Sequence, residues 1–215
     1  MPKFEGLIAD AKGFYARLDA NNNKAWWQEH KGFYDSQLKA KALSLLETLA
    51  PKLTELTGEP VKTKLFRPHR DVRFSKDKTP YNTHLHMMWA LDTPAPHNPV
   101  FFFGIGIDYV SAGGGMMGLD KPILENWRKF VDLDTDRVTG ILGSLKDSGF
   151  SLREPALKRV PSPYAKDHVA GELLRMKGIM ASKDIGTPDD LVAAISTAFS
   201  KLAPLNALLL QVAEA

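Results

Sequence analysis

The sequence predicts an α+β fold built around an antiparallel sheet. Two observations carry that reading. Apolar residues recur at helical spacing towards both ends of the chain and at a period of two near its middle. The strand-like segments also follow one another, with helical ones before and after, where a doubly wound sheet would alternate the two. The length of 215 residues fits one domain spanning 1–215.

Phe4, Leu7, Ile8, Phe14, Tyr15 and Leu18 place a first helix over 4–18. Asn21-Asn22-Asn23 breaks it and offers an N-cap, because a short amide side chain satisfies orphan helix N–H groups. A long helix follows over 24–49, with Pro51 near its end. Its stripe of Trp26, Trp27, His30, Phe33, Tyr34 and Leu38 reads as core. Beyond Gly58-Glu59-Pro60 the period becomes two. Phe66, Pro68, Arg70, Val72 and Phe74 fall on one face and Arg67, His69, Asp71, Arg73 and Ser75 on the other, so 66–74 reads as a strand. Residues 75–80 have turn chemistry, and 81–91 form the returning strand.

The proline-rich 92–99 is a loop, and 100–109 is a buried strand. Gly113-Gly114-Gly115 is placed in a turn or at a strand start, with 116–119 continuing the sheet. Asp120 caps a helix that carries Pro122 in its first turn, where a missing N–H costs little. Ile123, Leu124, Trp127, Phe130 and Val131 form its apolar face. A helix over 136–148, extended pieces at 150–152 and 157–160, a helix over 167–176 and a strand over 178–183 come next. The last helix covers 189–213, bent near Pro204.

Composition removes whole classes of chemistry. With no cysteine there is no disulfide framework, thiolate nucleophile, iron–sulfur cluster or Cys-ligated zinc. The residues Met1-Pro2-Lys3-Phe4-Glu5 lack the apolar run of a signal peptide, and 100–107 is far short of the ~20 residues that span a bilayer. The expectation is a soluble, cytoplasmic protein with no membrane partner. Gly104-x-Gly106 and Gly113–Gly115 lack the helix N-terminus of a phosphate loop, so they read as places of close backbone approach. No G-x-S-x-G elbow is present.

Charge is concentrated. Residues 61–84 hold seven bases against two acids, a net +5, which leaves −2 for the rest of a chain whose total is +3. The densest constellation is Arg67, Arg70, Asp71, Arg73, Lys78 and Tyr81. Planar guanidinium forks match phosphate and carboxylate oxygens, and a carboxylate between two of them holds both in place. This predicts an anion-binding hairpin: Arg67, Arg70 and Arg73 contact oxygens, Asp71 orients them, and Lys78 and Tyr81 close the rim. Catalysis built on it would use Tyr81 or His84 as general acid or base. Two alternatives stand beside it: a hairpin laid against a nucleic-acid backbone, and an Arg–Asp network that only ties the hairpin to the sheet. His84-x-His86 with His69 is too weak a pattern to assign a metal, and no cofactor is implied. A second basic cluster, Lys158, Arg159, Arg175 and Lys177 with Tyr164, Asp167 and His168, would add charge to the first if the chain folds back; the favoured reading is a solvated surface with Asp167 capping the following helix.

The run from Phe66 to Tyr81 resembles the hallmark of the bacterial family called domain of unknown function 2461: R-x-x-R-D-x-R-F, a short spacer, Asp or Asn followed by Lys, then Tyr. The similarity extends to Asn21–Trp27 with Tyr34, the glycine-rich segment before Asp120, and Leu157–Pro161 with Asp167-His168. It implies a small single-domain protein defined by the arginine hairpin. It implies no substrate, activity or cofactor.

Overall fold

A computed structural model of the chain describes residues 4–215; Met1–Lys3, which begin the segment read for a leader, lie outside them. The described residues build one six-stranded antiparallel sheet with helices packed on a single face. In chain order the elements are α1 (Leu7–Ala20), α2 (Lys24–Phe33), α3 (Ala40–Thr57), β1 (Val61–Leu65), β2 (His84–Leu91), β3 (Val100–Gly106), β4 (Val110–Met116), α4 (Lys121–Leu133), α5 (Thr135–Asp147), β5 (Ser151–Leu152), α6 (Gly171–Leu174), β6 (Ile179–Asp184) and α7 (Leu191–Glu214). The sheet order is β1-β2-β3-β4-β6-β5. The α+β architecture therefore stands as the sequence predicts.

Alternation decides the two faces. Leu85, Met87, Trp89 and Leu91 of β2, with Phe101, Phe103 and Ile105 of β3, are buried. They meet α1, α3 and α7. The Trp89 indole N–H donates to the Leu46 carbonyl at 3.0 Å, so burial of this large ring leaves no orphan donor. Phe199 of α7 packs on Trp89 and Phe101, with ring centroids 5.4 and 5.1 Å away. Asn206, fully buried on the same helix, donates from Nδ2 to the Val100 carbonyl at 3.1 Å and fastens α7 to β3. By length and composition α7 would pass for a membrane span. Here Ile195, Phe199, Leu202, Leu205 and Leu209 fill the core.

Several boundaries differ from those predicted. The second helix does not end near Pro51. It passes through a π-helical turn at Tyr34–Lys39, continues as α3 and stops at Gly58, which takes φ 77° and donates its N–H to Thr54. Buried Tyr34, Leu38, Ala42 and Leu46 recur every four residues, longer than the 3.6 of an α-helix. One wide turn absorbs the difference. Residues 66–74 are not a strand. The strand is Val61–Leu65, paired with β2 from Val61↔Leu91 to Leu65↔Met87. Residues 66–83 connect the two as a loop with one bridge, His69↔Tyr81. Pro68 lacks an N–H for a ladder, and Arg70, Asp71 and Asp77 take up local hydrogen bonds instead. The helix read over 167–176 shrinks to α6, and 157–160 pairs in no strand.

The glycine triplet sits inside β4, not at a turn. Gly115 adopts φ 128°, and a Cβ there would lie 2.0 Å from the Ile179 carbonyl oxygen of β6. Since that neighbour is backbone, a side chain would force β4 and β6 apart. Gly115→Ala is expected to destabilise the fold by more than about 3 kcal/mol, read as a lowered urea midpoint.

Candidate functional site

The arginine loop is fastened at its exit. Asn22 Nδ2 donates to the Tyr81 carbonyl at 2.9 Å, and the Tyr81 N–H donates to Asn22 Oδ1 at 3.1 Å. The buried Tyr81 ring stacks on Trp27, centroids 4.5 Å apart and 16° from parallel. Burial raises the Tyr81 phenol pKa. Arg70 turns inward along the loop: Nη1 donates to Asp77 Oδ2 at 2.6 Å, to the Thr79 carbonyl at 3.1 Å and to the Thr79 hydroxyl. The Thr79 N–H, then Arg70 and the Thr79 hydroxyl, hold the Asp77 carboxyl down to about 2. Arg73 grips Asp71 instead, with Nε to Oδ1 at 2.9 Å and Nη2 to Oδ2 at 2.6 Å. Those bonds lower the Asp71 pKa. Lys78 donates to the Val72 carbonyl at 2.9 Å. Arg67 is exposed and makes no side-chain hydrogen bond or ion pair among the described residues. Asp71 therefore hydrogen-bonds one guanidinium, that of Arg73, and feels Arg67 through its charge alone, while Arg70 serves Asp77. Phe74 stands almost fully exposed at the tip.

The face of the sheet away from the helices carries a cleft of about 850 Å³. Strand register lays out its floor in rows. His86, Gly104, Ser111 and Asp184 lie opposite one another across β2, β3, β4 and β6. The next row is Met88, Phe102, Gly113, Ser182 and Ser151. A third runs Ala90, Val100, Gly115, Met180. At about 4.8 Å per strand, β2 to β5 spans roughly 19 Å. Phe66 walls one side, Met117 and Gly118 another, and Arg153 stands at the β5 edge.

The first row is polar, and glycines shape it. A Cβ on Gly106 would fall 2.2 Å from the Tyr109 ring. Bare backbone at Gly106 thus lets that ring fold down over the sheet and bring its hydroxyl to His86 Nε2 at 2.6 Å. His84 stacks on His86, centroids 3.6 Å apart and 18° from parallel. Burial first, and the neighbouring His84 second, push the His86 imidazole down to about 3. Burial alone lowers His84 and raises the Tyr109 phenol. At neutral pH the site holds a neutral imidazole against a neutral phenol. His69 lies elsewhere, against Trp27 and Tyr81. Among the described residues no group of three His, Asp or Glu side chains gathers as a metal site.

Sequence reasoning singled out His84 and Tyr81 but passed over Tyr109. The available signal was the bare Gly104-x-Gly106 face three residues before it, opposite His86 and His84 in the ladder.

The histidines set a pH dependence. Unfolded, His86 titrates near 6.5; folded, near 3. Between these values the unfolded chain binds the extra proton, so this contribution to stability is complete above about pH 6.5 and is lost as pH falls towards 3. His84 acts in the same direction. The Asp77 contribution is lost only below its ordinary 3.8. Thermal melts from pH 7.5 to 4.5 are therefore expected to show a falling Tm, with a shallower fall in His86→Gln. Equal slopes in the two proteins would remove His86 as the cause.

No curated protein matches the chain. Residues 10–207, nearly its whole length, match the family described as conserved hypothetical protein (DUF2461). That match places the chain in this family, the one that the Phe66–Tyr81 run resembles.

Proposed function

We propose that the chain binds a small, predominantly apolar molecule with one polar group in the cleft on the open sheet face. The observation that carries this reading is the cleft itself: about 850 Å³, with Met88, Phe102 and Met180 in its floor, Phe66 in its wall, and His86 and Tyr109 at one end. Ligand sites typically enclose about 300–1,000 Å³, mostly apolar with a few convergent polar groups and perturbed titrations. Arg153 at the β5 edge, without a side-chain partner among the described residues, suits a carboxylate or sulfonate on the ligand. An imidazole near 3 is a poor base at neutral pH. The pair is thus better suited to accept and donate hydrogen bonds than to drive turnover, and binding is the reading favoured.

For the arginine loop, the bond pattern supports an internal tie. Arg70 closes 70–79 from within, while the Arg73–Asp71 pair stands in water, the arginine side chain 76% exposed. Exposed pairs contribute little to stability.

Two outcomes follow. Anilinonaphthalene sulfonate, an aromatic anion, is expected to brighten saturably with one site per chain. Ser182→Trp, which fills the middle row, is expected to weaken that response at least tenfold at unchanged Tm. A response equal in both proteins would place the dye elsewhere and sink the cleft reading. For the loop, Arg70→Ala is expected to lower Tm and speed amide exchange over 66–83, whereas Arg73→Ala leaves both near wild type. Equal effects would deny Arg70 its special role.

A further inference from the structure

The chain between β5 and β6 folds back on itself and closes a second concavity, of about 460 Å³, away from the cleft. Lys158 and Arg159 line it from one arm, and Lys166, His168 and Arg175 from the other. The arms are joined by the Leu157 N–H donating to the Arg175 carbonyl at 3.0 Å, and by Gly171 lying close against Val160. The bowl therefore exists before any ligand arrives.

Its charge is unbalanced. Four cations face one carboxylate, Glu172, for a net +3. Glu172 is 82% exposed and stands 3.8 Å from Arg175. Lys158, Arg159 and Lys166 make no side-chain hydrogen bond or ion pair among the described residues. Cations held within one screening length of about 8–10 Å repel one another, and an anion among them relieves that repulsion. The histidine wall is rigid. His168 Nδ1 accepts from the Ala170 N–H at 3.0 Å, and Nε2 faces Asp132 at 3.3 Å, which fixes the ring from both sides. A shallow bowl with both ammonium and guanidinium donors suits a compact, multiply charged oxyanion better than a single carboxylate.

We infer that this bowl binds a phosphate group, with Lys158, Arg159, Lys166 and Arg175 as its donors. The anion chemistry that the sequence suggested for residues 66–81 is thus available in the second basic cluster, where Lys158, Arg159 and Lys166 are unpaired among the described residues and Arg175 meets only the exposed Glu172 and the Gly171 carbonyl. The inference is independent of the apolar cleft.

Thermal melts and calorimetry with inorganic phosphate test it. Phosphate is expected to raise Tm saturably, by roughly 5–10 °C at a hundredfold excess over Kd. Sodium chloride at matched ionic strength is expected to leave Tm unmoved. The double variant Arg159→Gln/Lys166→Gln, which alters exposed side chains only, should melt like wild type without phosphate and bind it at least tenfold more weakly. Ser182→Trp should bind phosphate as wild type does. A shift that chloride reproduces, or that survives the double variant, overturns the site. Loss of phosphate binding in Ser182→Trp would move the anion to the cleft and overturn it too. A short oligonucleotide that binds with steep salt dependence, while inorganic phosphate shows no saturation, would make the bowl a nucleic-acid contact instead.

Discussion

Leu85, Met87 and Trp89 alternate along β2 with His86, Met88 and Ala90, and that period of two obliges the strand to show two unlike faces. One face must be buried, and α1, α3 and α7 lie on it. The helices flank the strands in sequence and none crosses between neighbouring strands of the β1–β4 run, so all of them gather on one side. The other face is left to be covered by loops and by its own side chains. Burying three tryptophans and a phenylalanine cluster on the helical side supplies the stability that lets the opposite side stay open. The cleft follows from that one-sidedness. Its floor is the reverse of the core: on β2 and β3 the residues that line a row are flanked along the strand by ones that fill the interior.

Much of this was legible in the sequence, and the reasons it was legible are physical. Wherever a segment buries one stripe or one alternating face, the pattern showed: α1, the start of α2, β2, β3, α4 and α7 all fall close to where periodicity put them. Reading failed where local bonding replaces a ladder. Residues 66–74 alternate in polarity, yet their alternation is not that of a pleated strand. Arg70 and Arg73 point to different carboxylates because each finds one within seven residues of chain. β1, which is the true strand, is mostly exposed and reads Val-Lys-Thr-Lys-Leu, too polar to announce itself. Gly113 to Gly115 show the close backbone approach that the sequence suggested, yet their place inside a strand was missed for the opposite reason. Glycine marks turns most often, but here it lets β6 approach bare backbone.

The arginine loop shows how charge on paper differs from charge in space. A net +5 over 61–84 suggested a field seeking a ligand. In the fold, Asp77 and Asp71, which that net already counts, engage Arg70 and Arg73, the Val72 carbonyl takes Lys78, and Lys62 pairs with Asp92 outside the window, so most of these donors are occupied within the chain. The partners lie nearby in sequence, and a contact closed over a few residues costs little chain entropy. The loop in turn hangs on Asn22 and Trp27, which meet Tyr81 through two backbone bonds and a stacked ring. The turn between α1 and α2 thus positions the exit of the loop, while its entry is held to the sheet by the Phe66 N–H on the His86 carbonyl at 3.0 Å.

The 158–175 segment has the converse property. Among the described residues Lys158, Arg159 and Lys166 form no ion pair and Arg175 meets Glu172, while two carboxylates of the adjoining helices are engaged elsewhere: Asp132 faces His168, and Asp134 faces Arg137. Helical or strand pairing would have spread these side chains along an element, but the segment forms only one turn of helix and no ladder. Its folding back is imposed by β5 and β6, which must return antiparallel at Ser151↔Ser182 and so bring both ends of the segment together. The concentration of free cations in one bowl is therefore a product of sheet topology acting on a sequence whose charge density alone is unexceptional. That is the physical reason a modestly charged stretch gathers unpaired cations around one concavity.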